Sequence, residues 1–552
     1  MRYLPILAIA PLGIAGQLHA EDTPGRFGHP NEKSLGIYIG SDLTEDGATY
    51  LGGFGHEPSS HWLEIVPSQE HPEGATMTVG VTEDARIPGE LTEIPQVEET
   101  FKYITSNYSE FAGFPPPLTN GGLNEHGVAA RDIWSPSRPE LVEMSEEAAE
   151  DEPQTGPQYS DLARIAMERA TSAREAVEII GSLIDEHGFS TYGGNSHLFA
   201  DENEGWVFIN YAGAKGLWAA ERLEADEVRV SYPGYINEFP ASPDDDDDYM
   251  ASDNLIDFAR EQAWWDGNGD SLDLQEVYGQ PFPAEDPGDF YPSFYTEGRN
   301  PPEREEELRD MAPIKLKDML AYVRDPRWST DFSGYGQVAQ IRPDTHPELQ
   351  TLWVAVTSAI TTPFVPIPIG TEEVPPEFKQ HRYMTKDADS HFLDPDYGPL
   401  EATRYATRTF KRLLYHTCEN PQDFLQPVTG DIEAFEQNLL DSRARIEREA
   451  LALFESDEGD EARRYLTDMT QRSLLDSLAL GEDLVRNVER QTRDRYGIRM
   501  PEGEASKGDT TPATSQHMAR EGWGAMIHCY QQSMDEYPRE HGRYEEDRAL
   551  RP

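Results

Sequence analysis

The stretch whose reading decides the fold is Ser34–Gly53, SLGIYIGSDLTEDGATYLGG. Small and apolar residues alternate from Ser34 to Gly40, Asp46-Gly47 supplies a tight-turn signal, and the alternation resumes through Tyr50 and Leu51. This pattern predicts two strands joined as a hairpin that opens a sheet. SSHWLEIVP (59–67), GATMTVGVT (74–82), YITSNYSEF (103–111) and GVAARDIWS (127–135) continue the run of short, glycine-punctuated strands.

Two helices follow. YSDLARIAMERA and SAREAVEIIGSLIDEHG carry apolar residues at helical spacing, with Ser160 and Ser172 at N-cap positions and Gly188 as the stop. Strands return in NSHLFADENEGWVFINYAG, GLWAAERL and EVRVSYPGYINEF, and again in GQVAQIRP, TLWVAVTSA and TPFVPIPIG. Between these sets lie a capped helix, SDNLIDFAREQAWW, and a Pro- and Gly-rich connection over 278–302. After Pro375 the pattern is mainly helical, and beyond Gly503 it is polar. Strands, two helices, strands, then helices describe an α+β chain, an antiparallel sheet pair covered by helices, better than a doubly wound parallel sheet. Neither a strand-linked glycine fingerprint for a dinucleotide nor a phosphate loop occurs, so no cofactor is expected.

Residues 1–20 read as a signal peptide, with an uncleaved N-terminal anchor as the alternative: Arg2, an apolar stretch, then the small-residue exit Leu18-His19-Ala20. The expected destination is the periplasm or the medium, with no membrane span after cleavage. The formal net charge of −57 is dispersed over 552 residues and would repel nucleic acid. It fits a surface suited to high salt, with recruitment of a cationic partner as the competing reading. Asp244–Asp248 reads as a loop tip, because it lacks the spaced oxygens and glycine of a calcium loop. No metal is expected. The two cysteines, Cys418 and Cys529, suit one disulfide in an exported chain, or buried thiols.

Taken in order, SLGIYIGSDLTEDGATYLGG, GGLNEHGVAARD, DLARIAMERATSAREAVEIIGSLIDEHG, NSHLFADENEGWVFINYAG, VRVSYPGYINEF and SDNLIDFARE resemble the dipeptidase A family of N-terminal-nucleophile hydrolases. Secernins are related, and conjugated-bile-acid and penicillin V acylases more distantly. The resemblance runs from Ser34 to about Gly370. It implies a four-layer αββα sandwich in which the first residue of the mature chain performs the chemistry, and a helical C-terminal extension here. Members usually begin with Cys-Thr-Thr; in this chain Ser34 takes the Cys position. The implied organisation is a signal peptide over 1–20, a propeptide over 21–33, a hydrolase domain over 34–375 and a mainly helical region over 376–552.

A serine hydroxyl becomes a useful nucleophile when a base takes its proton, and a free α-amino group on the same residue, with an ordinary pKa near 8, is within reach. That base exists only if the Lys33–Ser34 bond is cut. The resemblance maps the oxyanion asparagine onto Asn124, with capping of a turn as the alternative role, and a second asparagine near the nucleophile onto Asn237, with a strand-end turn as the alternative. The Arg and Asp that follow the first hairpin in the family are replaced by Gly53 and His56, and His56, Glu57, Ser59, Ser60 and His61 form a polar cluster that either substitutes for them or makes a turn. Arg131 and Asp132 sit side by side in a strand, so one of them faces the interior, to orient a substrate carboxylate or amine or to form a salt bridge. Arg342 offers a planar fork for a peptide carboxylate, or a surface ion pair. Asn195 and His197 suggest structural roles. The function expected is exported hydrolysis of short peptides, most simply dipeptides, through an acyl-enzyme on Ser34; cleavage of an N-acylated amine and an inactive peptide- or partner-binding scaffold are the alternatives.

Overall fold

The computed structural model describes residues 34–56, 61–108, 113–280, 302–379 and 403–497, apart from 214, 327 and 330–332. The signal, the propeptide and the polar tail lie outside the described residues. Alternation of side chains across each strand sorts most of the strands into two large antiparallel sheets, beside three two-stranded ones. The first contains β1 (Leu35–Ile39), β2 (Thr49–His56), β10 (Val228–Ser231), β12 (Ser333–Ile341), β13 (Thr351–Ala355) and β14 (Val365–Pro368), in the order β10-β1-β2-β12-β13-β14. The second contains β3 (Trp62–Val66), β4 (Tyr103–Tyr108), β5 (Gly121–Asn124), β6 (Ala129–Ile133), β7 (Asn195–Ala200), β8 (Gly205–Asn210), β9 (Trp218–Leu223) and β11 (Tyr249–Ala251), in the order β11-β9-β8-β7-β6-β5-β4-β3. The expected β1–β2 hairpin forms, with Ile37 opposite Gly52 and Gly47 in a left-handed conformation in its connection.

The sheets pack face to face. Tyr38, Leu51, Ala339 and Val354 from the first meet Leu123, Ile133, Leu198 and Val207 from the second in one buried cluster. On the outer face of the second sheet, Phe199, Trp206 and Phe208 are covered by α2 (Tyr159–Arg169) and α3 (Ala173–His187). On the outer face of the first, Ile37, Phe54 and Trp353 are covered by Leu316, Met319 and Leu320 of α6 (Leu316–Arg324). Each face is apolar because every second residue of its strands is, and burying such side chains supplies roughly 25 cal/mol per Å².

Ser172 caps α3 as expected, accepting the Glu175 N–H, and Gly188 ends it with φ of 82°. Ser160 does not cap α2. Gln158 does, while the Ser160 hydroxyl accepts the Thr119 N–H at 2.7 Å. Helices without a counterpart in the sequence reading include α1 (Pro139–Asp151), α5 (Pro302–Asp310) and α6 (Leu316–Arg324). The capped helix before the long connection is α4 (Leu255–Glu261). The C-terminal helices α7 (Ala406–Glu419), α8 (Pro421–Glu455) and α9 (Gly459–Tyr496) pack on the edge formed by β14, where Phe410, Leu474 and Leu478 join the inter-sheet core. Arg324 and Glu436, each about 5% exposed, fasten α6 to α8: the carboxylate accepts both terminal guanidinium nitrogens and the Phe364 N–H. Cys418 in α7 is disulfide-bonded, and the other cysteine, Cys529, lies outside the described residues.

Among the described residues no helix is long and apolar enough to cross a membrane, and no group of three or more His, Cys, Asp and Glu is arranged to hold a metal. Asp244–Asp248 forms a turn whose Asp248 carboxylate accepts from Arg222 Nε at 2.5 Å.

Candidate functional site

Ser34 immediately precedes β1 and is 5% exposed. Two residues on, a Cβ at Gly36 would stand 2.7 Å from the δ-carbons of Ile133 and Leu198, so this side of β1 faces the second sheet. Continuing the alternation puts Ser34 on the same inner side, at the sheet end where β6 finishes and β7 begins. Beside Gly36 on β2 lies Gly53, with φ of 142°; a Cβ there would sit 1.8 Å from the Leu35 carbonyl oxygen. Glycine at this position is a backbone requirement. The next strand contributes Gln337, opposite Gly53, whose Nε2 donates to the Ala130 carbonyl at 2.9 Å and links the two sheets.

Arg131 is fully buried on the inner face of the second sheet. It pairs with Leu198, one of the residues against Gly36, and on its other side with Gly121, which presents no side chain. Its guanidinium carbon lies 5.0 Å from the centre of the Tyr335 ring, a cation–π distance. The His61 ring packs 5.1 Å from Tyr335 and 5.6 Å from Tyr108. Ser34, Tyr335, Arg131 and His61 thus gather at one end of the inter-sheet space. Of the pair Arg131 and Asp132, the arginine is the inward residue; Asp132 turns outward and accepts from Asn120 Nδ2.

The other anticipated site residues have different surroundings. Asn124 is buried at the opposite end of β6, and its amide is engaged: Nδ2 donates to the carbonyls of Met167 (3.2 Å) and Ala170 (2.8 Å), while Oδ1 accepts the N–H groups of His126 (3.1 Å) and Val128 (2.9 Å). It ties the β5–β6 turn to the carbonyls that α2 leaves unpaired at its end. These bonds are those of the turn-capping role given as the alternative to the oxyanion assignment. Asn237 is at the Ser34 end, in the segment after β10, where Gly234 N–H donates to Ser135 Oγ at 2.9 Å. Its Nδ2 donates to the Asp273 carboxylate (3.2 and 3.3 Å) and to Gln275 Oε1 (3.0 Å).

Arg342 makes the ion pair given as the alternative to carboxylate recognition. It follows the far end of β12, where its fork grips Glu447 of α8 at 3.0 and 2.8 Å and donates to the Leu349 carbonyl. Burial raises the Glu447 carboxyl, but the Arg443 and Arg342 cations outweigh it and hold the group below its ordinary value. His56 closes β2 opposite Ser333. Glu57, Ser59 and Ser60 lie outside the described residues. His197 lies under α2 on the outer face, with Nε2 3.2 Å from the Tyr159 carbonyl and Nδ1 3.4 Å from Asn195 Nδ2. Burial pushes its pKa down to about 4, against the Tyr159 carbonyl, so it is neutral and structural. Tyr335 and Gln337 were not anticipated; alternation in SGYGQ was the only signal for their inward direction.

Comparison with known proteins supports a peptidase affinity for part of the chain. Residues 116–288 match the model of Peptidase family C69. A "Probable dipeptidase" of Salmonella dublin is 30% identical over 127 residues, covering 23% of this chain and 28% of the relative. A "Probable dipeptidase B" of Lactococcus lactis subsp. lactis (strain IL1403) is 34% identical over 124 residues, 22% of this chain and 24% of the relative. The chain therefore spans about a quarter of the length of these curated relatives. The family match includes Arg131 and ends before Tyr335; Ser34 precedes it.

Proposed function

We propose that this chain is an N-terminal-nucleophile peptidase that hydrolyses dipeptides through Ser34. The observation that carries the reading is the place of Ser34: a buried hydroxyl residue at the start of a central strand, on the side facing Arg131, in a chain similar to a peptidase family over 116–288. Two facing antiparallel sheets with helices against both outer faces support the αββα sandwich that this reading requires. In the proposed organisation the signal ends at Ala20, residues 21–33 are removed, and residues 376–552 extend the hydrolase. The protein is exported, and its partner is a short peptide.

The mechanism follows from the free amine that cleavage before Ser34 would create. The hydroxyl attacks the scissile carbonyl and its proton passes to the α-amino group, directly or through one water. The tetrahedral species collapses, the C–N bond breaks, and the departing amine takes that proton, leaving an ester on Ser34 Oγ. Water, deprotonated by the same amine, hydrolyses the ester and restores the hydroxyl. Removal of 21–33 uses the same hydroxyl against the Lys33 carbonyl.

Intact mass and N-terminal sequencing of the secreted protein test the reading. The mature chain should begin at Ser34, Ser34→Ala should block both processing and peptide hydrolysis, and Ser34→Cys should retain processing. A homogeneous, active species beginning at Glu21, or undiminished turnover in Ser34→Ala, would overturn it.

A further inference from the structure

We propose that Ser231 is a positioning residue for the α-amino group of Ser34, holding it through one water so that the amine lone pair meets the Ser34 hydroxyl. This rests on the reading of Ser34 as nucleophile and adds to it the group that orients the base. Ser231 closes β10 directly opposite Gly36 of β1. Residues paired across two strands carry their side chains on the same face, so Ser231, like Gly36 and Ser34, is turned toward the second sheet. It is fully buried, and its Oγ has no hydrogen-bond partner among the described residues.

Backbone direction puts the amine on the same side. In an antiparallel pair, alternate residues of a strand turn their N–H groups to the same neighbour. Gly40 N–H donates to the Glu227 carbonyl at 2.9 Å, on the β10 side of β1, whereas the Leu35 carbonyl is turned to Gly53 of β2. Counted back in twos from Gly40, the Ser34 nitrogen is directed at β10, and cleavage before Ser34 makes that nitrogen the amine. Ser231 is its diagonal neighbour across the pair, roughly 7 Å away. Two hydrogen bonds of about 2.8 Å through one water cover most of that span.

The surroundings suit a water and little else. Ser196 Oγ and Ser231 Oγ lie 2.3 and 3.1 Å from where a Gly234 Cβ would stand, so the segment after β10 closes over both hydroxyls. Ser135 and Ser196, each fully buried, satisfy one another. Their Oγ atoms are 2.8 Å apart, Gly234 N–H donates to Ser135 Oγ at 2.9 Å, and the Ile133 carbonyl accepts the hydroxyl hydrogen that does not join them. That pair is a fixed wall, and it leaves the Ser231 hydroxyl uncommitted. The water accepts an N–H of the amine and donates to Ser231 Oγ, which leaves the amine lone pair for the proton of Ser34 Oγ.

The test compares Ser231→Ala with the native chain after the N-terminus of each has been sequenced. The variant should still shed residues 21–33, because the amine does not exist until that bond is cut. For a dipeptide its kcat should fall at least about tenfold while KM stays within about twofold. Its urea midpoint should be unchanged or higher, since the change removes a buried hydroxyl that makes no hydrogen bond to the protein. A native kcat, a loss of activity accompanied by a lower midpoint, or a variant that retains 21–33 would overturn the role of Ser231. Failure of the Ser34 mechanism is seen separately, in the native chain, as an N-terminus other than Ser34 or as turnover that Ser34→Ala does not diminish.

Discussion

Replacing Asn124 with alanine separates two roles for one residue. As an oxyanion donor its loss would lower kcat by about a hundredfold or more with little effect on folding. The structure assigns it a different task. Truncation would orphan the carbonyls of Met167 and Ala170 at the end of α2 and the Val128 N–H, all on fully buried residues. The fourth partner, the N–H of exposed His126, would regain water. A buried group left unsatisfied costs about 1–3 kcal/mol. Partial relaxation and non-additivity bring three such groups to about 3 kcal/mol in all. Urea denaturation followed by tryptophan fluorescence should show this loss as a lower midpoint with an unchanged slope. At temperatures where both proteins are folded, kcat for a dipeptide should agree within about threefold. Asn124→Asp keeps the acceptor for Val128 but turns a carboxylate on two carbonyls, and should be no more stable than the alanine variant. A stability loss under about 0.5 kcal/mol with a hundredfold fall in kcat would refute this reasoning and restore the oxyanion role.

Glu436→Gln leaves the buried Arg324 charge without its counter-charge and should cost about 3–5 kcal/mol in denaturant unfolding, whereas Arg324→Met combined with Glu436→Leu should recover much of that loss; near-neutral single variants would mean that this pair does not fasten α8. His197 should make folding acid-sensitive. Its folded pKa of about 4 lies below the ordinary 6.5, so the unfolded chain binds the extra proton between those values. Stability is present in full above pH 6.5 and falls by about 3 kcal/mol as the pH drops to about 4, a slope that His197→Gln should lack in pH-dependent denaturation. With 103 acidic against 46 basic side chains, the melting temperature should rise steeply between 0.01 and 1 M salt, as the screening length shortens from about 30 to 3 Å. Sodium and potassium chloride should act alike, and a flat melting curve would remove the salt-adapted reading.

Most of the strands were legible because one face lies in the inter-sheet core and they therefore alternate, and α2 and α3 because a wide apolar stripe meets Phe199, Trp206 and Phe208. Two of the helices missed, α1 and α5, bury little, whereas α6 buries most of its residues and its stripe was simply not read. In α1 only Leu141 and Ser145 are buried, so a run of glutamates hides the period. α5 is held by Leu308 and by the Glu305 carboxylate accepting the Val230 N–H, contacts made with another part of the chain that no local periodicity encodes. Ser160 misled for a similar reason. A serine near a helix start is a sound cap signal, but a tertiary partner, the Thr119 N–H, took its hydroxyl.

Residue type and period limited what could be read of the site. Alternation required that one of Arg131 and Asp132 face inward, and only the packing of Leu198 and Ile133 on Gly36 identified the arginine. Period says nothing about which end of a strand lies near Ser34, so Asn124 and Arg342 looked eligible although both stand at the far end. Gly53 is informative for the opposite reason. With φ of 142° and the Leu35 carbonyl oxygen 1.8 Å from where its Cβ would be, this position has no room for any side chain, let alone an arginine. The neighbouring inner position on β1, Gly36, is filled from across the core by Ile133 and Leu198. On the facing sheet the inward residue of β6 is Arg131, whose guanidinium carbon lies 5.0 Å from the centre of the Tyr335 ring.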